Sequence, residues 1–182
     1  MALFFVLYHR SAAREKVKHN LADFLFDSFY SGAVGGSAVA LFFLAADLVD
    51  GQPLFTPSLM GSVFFFDIAA EDVVGVSLQA VAYFSAVHFA ACAVGGTLAT
   101  WLVHEVELHS RHPVAVLIVL FAIIEVVFLL VASLAMPGVI ARLGIVRVGI
   151  ANLLAAGSMA LFFVLSHREQ AWEKIKQTAH LA

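Results

Sequence analysis

Three polar side chains lie inside long apolar stretches, where they could bind a proton or a ligand. Glu125 is surrounded by Phe, Ala, Ile and Val, and His88 and Asn152 interrupt two other apolar stretches. Polar and ionisable groups in hydrocarbon are costly, so each is a functional hypothesis. Counting from the ends of the stretches places the three residues at similar depth, which predicts an intramembrane polar cluster. The cluster would either fix which helices pair or share a proton between carboxylate and imidazole.

His88 is also a candidate axial ligand. Its neighbours Ser85, Ala86, Ala90 and Ala91 are small, which leaves room for a flat macrocycle beside the imidazole. One histidine is enough for a chlorophyll-type pigment or a five-coordinate haem. Bis-histidine ligation within the chain is disfavoured, because no second histidine lies at matching depth.

A second group of candidate ligands follows the second apolar stretch. If the helix continues, Glu105, His109 and His112 lie on one face, at spacings of four and three residues. One carboxylate and two imidazoles could bind a divalent metal and leave a coordination position open. The spacing is neither HExxH nor the paired ExxH of di-iron bundles. The alternative is a polar helix end whose histidines lie among lipid headgroups.

The composition indicates the surroundings of these residues. Of 182 residues, 62% are hydrophobic and 13% charged, with a mean hydropathy of +0.97. Soluble domains are about half apolar and about a quarter charged. The single cysteine, Cys92, excludes an internal disulfide and a cysteine-ligated iron–sulfur cluster, and the net charge of −3 does not favour nucleic acid as a partner. We therefore expect a membrane protein whose partner is the lipid bilayer.

Four apolar stretches are long enough to cross a bilayer, which takes about 20 helical residues. They cover residues 28–49, 78–103, 113–135 and 143–166. Because they are continuous and do not alternate, they predict helices. The predicted fold is an all-α integral membrane protein, an up-and-down four-transmembrane-helix bundle formed by residues 28–166. Residues 1–27 and 167–182 are predicted to form amphipathic cytoplasmic helices.

Lysine and arginine are distributed unequally over the two sides of these spans. Eight lie in the terminal segments and between the second and third spans, whereas the other side has Arg142 and Arg147. The positive-inside rule then places both termini in the cytoplasm. In the outer loop, residues 50–77, the stretch 61–74 predicts a short apolar element that covers this face or contacts a partner. Asp47 and Asp50 at the outer end of the first span are expected to be solvated.

Glycines in the first two spans predict close helix contacts, because small residues let helix backbones approach each other in lipid. Gly32 and Gly36 form a GxxxG motif in the first span, and Gly95 and Gly96 lie in the second. These glycines would pack the bundle internally or line the contact surface of a homo-oligomer.

The two ends of the chain share a repeat. Residues 1–18 and 159–176 are identical at thirteen of eighteen positions. The second copy is the end of a span followed by a polar helix, so the first copy is expected to prefer the same environment at the inner leaflet. A segmental duplication is the alternative explanation of the identity.

Residues 32–36, 51–61 and 149–154, together with Glu125, carry a resemblance. In these stretches the chain resembles small four-helix bacterial inner-membrane proteins that have no known activity. The resemblance covers residues 29–166 and implies the fold and a bacterial inner-membrane location. It implies no activity, and the terminal repeat lies outside it.

Three classes of function are compatible with these features. The first is a non-catalytic membrane subunit, either self-associating or part of a larger bioenergetic or photosynthetic complex. The second is a redox protein that binds a metal, a haem or a pigment through His88 and Glu125 or through Glu105, His109 and His112. The third is a small component of proton-coupled transport. The absence of a P-loop, a dinucleotide-binding fingerprint and a serine-hydrolase motif favours the first class.

Overall fold

The described part of the chain forms six α-helices joined by short connections. The structure, a computed structural model, describes the backbone of residues 2–109 and 113–179 and the side chains of residues 21–103 and 118–166. All regular structure in these residues is helical. The helices are α1 (Ala2–Val49), α2 (Phe55–Phe66), α3 (Leu78–His109), α4 (Pro113–Ala135), α5 (Val139–Leu143) and α6 (Ile145–Ala179), and a 3₁₀ turn covers Ala70–Asp72.

Four of these helices are long and apolar enough to cross a membrane, which confirms the prediction of four spans. The spans are Leu21–Val49 in α1, Leu78–Val103 in α3, Ile118–Ala135 in α4 and Ile145–Ser166 in α6. This is the architecture of a multi-pass membrane protein. The backbones of α1 and α6 continue past their spans without a break. The boundaries predicted at residues 27 and 167 therefore do not coincide with helix ends. No proline or glycine occurs at either position to terminate a helix.

Proline and glycine end the helices on the side of the molecule where α2 lies. The run Met136-Pro137-Gly138 separates α4 from α5. Gly138 (φ +83°) and Gly144 (φ +84°) both have positive φ angles, which glycine adopts without steric cost. The two turns leave α5 as a short connector between α4 and α6.

Close backbone contacts join α1 to α3, and α1 also packs against α6. A Cβ atom on Gly32 would collide with the Cys92 carbonyl oxygen, and one on Gly96 would collide with the Ser28 carbonyl oxygen. The buried Ser31 hydroxyl lies 3.3 Å from the Gly96 carbonyl oxygen, to which it can donate. Helix α4 packs mainly on α6 and meets α3 much less closely.

Two apolar clusters fill the space between the helices. The first, which we name the cap cluster, contains Leu59 and Val63 of α2 with residues of α1, α4, α5 and α6. The second, the distal cluster, contains Val103 of α3, Leu120 of α4 and Phe163 of α6. The apolar element predicted at residues 61–74 is thus replaced by a helix that begins earlier, at Phe55. Most of α2 is buried, so it covers this end of the molecule.

Candidate intramembrane polar site

Glu125 and Asn152 form a hydrogen-bonded pair that joins α4 to α6. The Asn152 amide nitrogen Nδ2 donates to Glu125 Oε2 at 2.7 Å. Asn152 is buried, and Glu125 is half-buried. A carboxyl oxygen that carries no proton only accepts hydrogen bonds, so Asn152 presents the NH₂ side of its amide to Oε2. The structure therefore brings together two of the three residues of the predicted polar cluster.

The second oxygen of each side chain has no donor in the described residues. Glu125 Oε1 and Asn152 Oδ1 receive no hydrogen bond there, although polar atoms in protein interiors normally have a partner. Among the described side chains, Ser28 Oγ is the polar atom that has neither solvent-accessible surface nor a hydrogen-bond partner. Glu125 Oε1 and Asn152 Oδ1 also lack a partner, so both must retain some accessible surface. The pair can accept hydrogen bonds from a further donor.

His88 lies in a different contact, between α3 and α1. Its Nε2 atom is 3.1 Å from the Gly36 carbonyl oxygen and 3.7 Å from Cys92 Sγ. Because a carbonyl oxygen only accepts, Nε2 carries the proton and donates. The structure thus divides the predicted cluster. Residue counts predict the depth of His88, but the packing of α3 on α1 sets the rotation of α3, and the ring nitrogen Nε2 donates to Gly36 and not to Glu125.

The candidate ligands do not converge in the described residues. With Nε2 of His88 donating to Gly36, the ring nitrogen left for a metal is Nδ1, and the Phe84 and Phe89 rings flank the imidazole at 5.9 and 5.2 Å between centroids. Within the described side chains, no group of three His, Cys, Asp or Glu residues could hold a metal ion. The predicted metal site of Glu105, His109 and His112 lies outside those side chains.

The predicted packing glycines have two different environments. Gly32, Gly36 and Gly96 lie where α1 and α3 touch. Gly95 does not, because a Cβ atom there would have no neighbour within 4 Å. Adjacent residues of a helix point about 100° apart, so one of two consecutive glycines faces α1 and the other does not.

Asp47 is a buried acid that the sequence analysis did not identify, and the prediction that it is solvated is wrong. Its side chain is 3% exposed. Asp47 Oδ2 accepts a hydrogen bond from the Thr56 backbone N–H at 2.8 Å, and Oδ1 accepts one from the Thr56 hydroxyl at 2.6 Å. Asp47 therefore satisfies the N-terminus of α2, where negative charge is favourable. Pro57 lies in the first turn of α2, where a residue without a backbone N–H removes no hydrogen bond of the helix.

The two arginines near the N-terminus of α2, Arg142 and Arg147, also form side-chain hydrogen bonds. Arg147 Nη1 lies 2.6 Å from Asp50 Oδ2, and Nη2 lies 3.3 Å from Asp50 Oδ1, with both side chains about half exposed. The Arg147 guanidinium holds the pKa of the Asp50 carboxyl below its usual value. Arg142 donates to the Val73 carbonyl oxygen at 3.0 Å. These contacts fasten the connections between helices at the α2 end.

Comparison of the chain with known protein families, curated proteins and solved structures gives no match. Function has to be argued from the contacts of the chain itself. The contacts that bear on function are the Glu125–Asn152 pair and the surfaces that the spanning helices present outwards.

Proposed function

We propose that the chain is a non-catalytic integral membrane subunit that self-associates through α3. The observation that carries this proposal is a set of small, exposed residues on one side of α3, which at Ala93 borders the contact with Gly32 of α1. At the helical repeat they fall within about 80° of the circumference. They are Ala82, Ala86, Ala90, Ala93 and Thr97, all exposed. In lipid, faces of small residues are where another helix can approach closely.

The contrast with α4 supports this assignment. The outward residues of α4 include Val119, Val126, Leu130 and Leu134, long or branched side chains that suit contact with lipid tails. On α3, the small residue Gly96 already lets α1 approach closely on another side. We therefore assign the alanine face of α3 to a second copy of this chain and the outward face of α4 to lipid.

We further propose that the four spans form an up-and-down bundle in a bacterial inner membrane, with amphipathic helices at both cytoplasmic termini. The unequal distribution of Lys and Arg supports this orientation. The side of the molecule where α2 lies carries only Arg142 and Arg147 among the ten Lys and Arg residues of the sequence.

The mass of the purified protein in mild detergent tests self-association. We expect a dimer or larger homo-oligomer for the unmodified chain and a monomer for the variant Ala86→Leu with Ala90→Leu. The matched control is Ala122→Leu, because Ala122 is an exposed alanine of α4 and should leave the oligomer intact. A monomeric unmodified chain without a copurifying partner would contradict the proposal. Stoichiometric metal or visible absorption bands would contradict the non-catalytic assignment.

A further inference from the structure

One side of α3 has an aromatic side chain near each end of the span and aliphatic side chains between them. Tyr83 and Trp101 are eighteen residues apart, which is about five helical turns, so they lie on the same side of the helix. Val87, Val94 and Leu98 lie between them, and all five side chains are exposed. At about 1.5 Å per residue, the two aromatic residues are about 27 Å apart along the helix, close to the roughly 30 Å hydrocarbon core of a bilayer. This spacing is typical of a lipid-facing surface whose aromatic residues lie at the two membrane boundaries.

Tyr83 has the contacts of a residue at such a boundary. It lies five residues inside the span that begins at Leu78, which is about 7.5 Å along the helix. Its hydroxyl oxygen accepts a hydrogen bond from Gln79 Nε2 at 3.3 Å, and Gln79 lies one turn nearer to the end of the span. The ring of Tyr83 therefore lies at apolar depth while its hydroxyl is turned toward the end of the span, as in tyrosines at membrane interfaces.

The C-terminal turn of α2 lies beside Tyr83. Gly61 of α2 packs so closely on α3 that a Cβ atom there would collide with the Ala80 carbonyl oxygen. Beyond this contact, the ring centroids of Phe65 and Phe66 lie 5.5 and 6.0 Å from that of Tyr83. The end of α2 therefore reaches past the start of α3 to the depth of Tyr83.

The aromatic residues at the end of α2 are exposed, although the preceding turns are buried. Phe64, Phe65 and Phe66 are each about 40% exposed, whereas residues 58–63 are all buried. We name these three phenylalanines, together with Tyr83, the aromatic patch. Contiguous exposed apolar patches are typical of surfaces that contact a membrane or another protein.

We propose that the aromatic patch inserts into the bilayer at the boundary between headgroups and acyl chains. The patch joins the lipid-facing side of α3 at Tyr83, so one apolar surface continues from the span onto α2. Phenylalanine side chains are favoured at this boundary, where they are buried among the outer parts of the acyl chains. Lipid then holds α2 from outside, and the cap cluster holds it from inside. The proposal is independent of self-association, which uses the neighbouring side of α3.

Tryptophan fluorescence of the full chain in phosphatidylcholine vesicles tests where the aromatic patch lies. In a chain whose two natural tryptophans, Trp101 and Trp172, are replaced by Phe, the substitution Phe65→Trp reports on the patch alone. Phosphatidylcholine brominated on its acyl chains near the headgroup quenches tryptophan in the bilayer, and iodide quenches tryptophan in water. We expect Phe65→Trp to lose emission with the brominated lipid and to keep it with iodide. The matched control Gln52→Trp, in the exposed connection between α1 and α2, should show the reverse.

The other end of the lipid-facing side of α3 is tested with a natural residue. The variant Trp172→Phe leaves Trp101 as the reporter, and its emission should also fall with the brominated lipid. Circular dichroism and the detergent-solubilised mass verify that each variant folds. Iodide quenching of Phe65→Trp would place the patch in water, and protection from both quenchers would place it against another protein or a second copy. Either result would overturn the proposal, as would a Trp101 that the brominated lipid does not quench.

Discussion

Adjacent glycines of α3 provide a matched pair of substitutions that tests how α1 and α3 pack. A Cβ atom on Gly96 would lie 2.6 Å from the Gly32 nitrogen and 2.8 Å from the Gly32 Cα atom, and it would collide with the Ser28 carbonyl oxygen. Since carbon atoms prefer separations of about 3.5–4.0 Å, Gly96→Ala requires the two helices to separate by about 1 Å. We expect this overpacking to lower the free energy of unfolding by about 1–3 kcal/mol.

Gly95→Ala is the control, because its new methyl group meets no atom within 4 Å. Alanine is favoured over glycine in a helix by up to about 1 kcal/mol, so Gly95→Ala should leave stability unchanged or raise it. Unfolding by SDS in mixed micelles, followed by circular dichroism, measures both variants against the unmodified chain. Equal changes in the two variants, or a larger loss in Gly95→Ala, would refute the packing derived for α1 and α3.

Three further substitutions test polar contacts. Asp47→Ala removes two hydrogen bonds, at about 0.5–1.5 kcal/mol each, and should speed amide hydrogen exchange in α2. Arg147 lowers the pKa of the Asp50 carboxyl in the folded chain below its usual value of 3.8. The ion pair therefore stabilises the fold above pH 3.8, and this stabilisation is lost as the pH falls through the lower pKa that Asp50 has in the folded chain. Arg147→Gln should therefore show a smaller fall in Tm between about pH 6 and about pH 3. Asn152→Leu should destabilise the chain by about 1–3 kcal/mol by leaving Glu125 without its donor, and Glu125→Leu in the same chain should restore stability in SDS unfolding.

Each of these predictions has a control or a contradicting result. Asp72→Asn alters an exposed acid of the 3₁₀ turn and should leave amide exchange in α2 unchanged. An acid response of Arg147→Gln equal to that of the unmodified chain would contradict the Asp50 pairing. If the double variant of Glu125 and Asn152 is no more stable than Asn152→Leu alone, the two side chains are not partners.

The sequence predicts the spans well because chain length and apolar composition determine them. Met136-Pro137-Gly138 and Pro113 mark helix ends by their backbone preferences, and the structure has helix boundaries at both. The continuous helices through residues 27 and 167 were not predicted. The change from apolar to polar composition there ends a span, but it does not end a helix.

The polar contacts were harder to predict because they depend on rotation about each helix axis. Depth alone placed His88, Glu125 and Asn152 together, whereas the packing of α3 on α1 directs His88 to Gly36. Asp47 was missed for a different reason. An acid at the end of a span is normally solvated, and here the N-terminus of α2 covers it.

Cross-linking in native membranes tests self-association through α3 most directly. In a Cys92→Ser background, single substitutions Ala86→Cys, Ala90→Cys and Ala93→Cys place thiols along the alanine face of α3. A symmetric dimer brings equivalent residues near its axis to within the roughly 4.4–6.8 Å between Cα atoms that a disulfide requires. We predict that oxidation gives a disulfide-linked dimer from at least one of these positions and none from Val126→Cys on the outward face of α4. No dimer from α3, or an equal yield from Val126→Cys, would contradict the account.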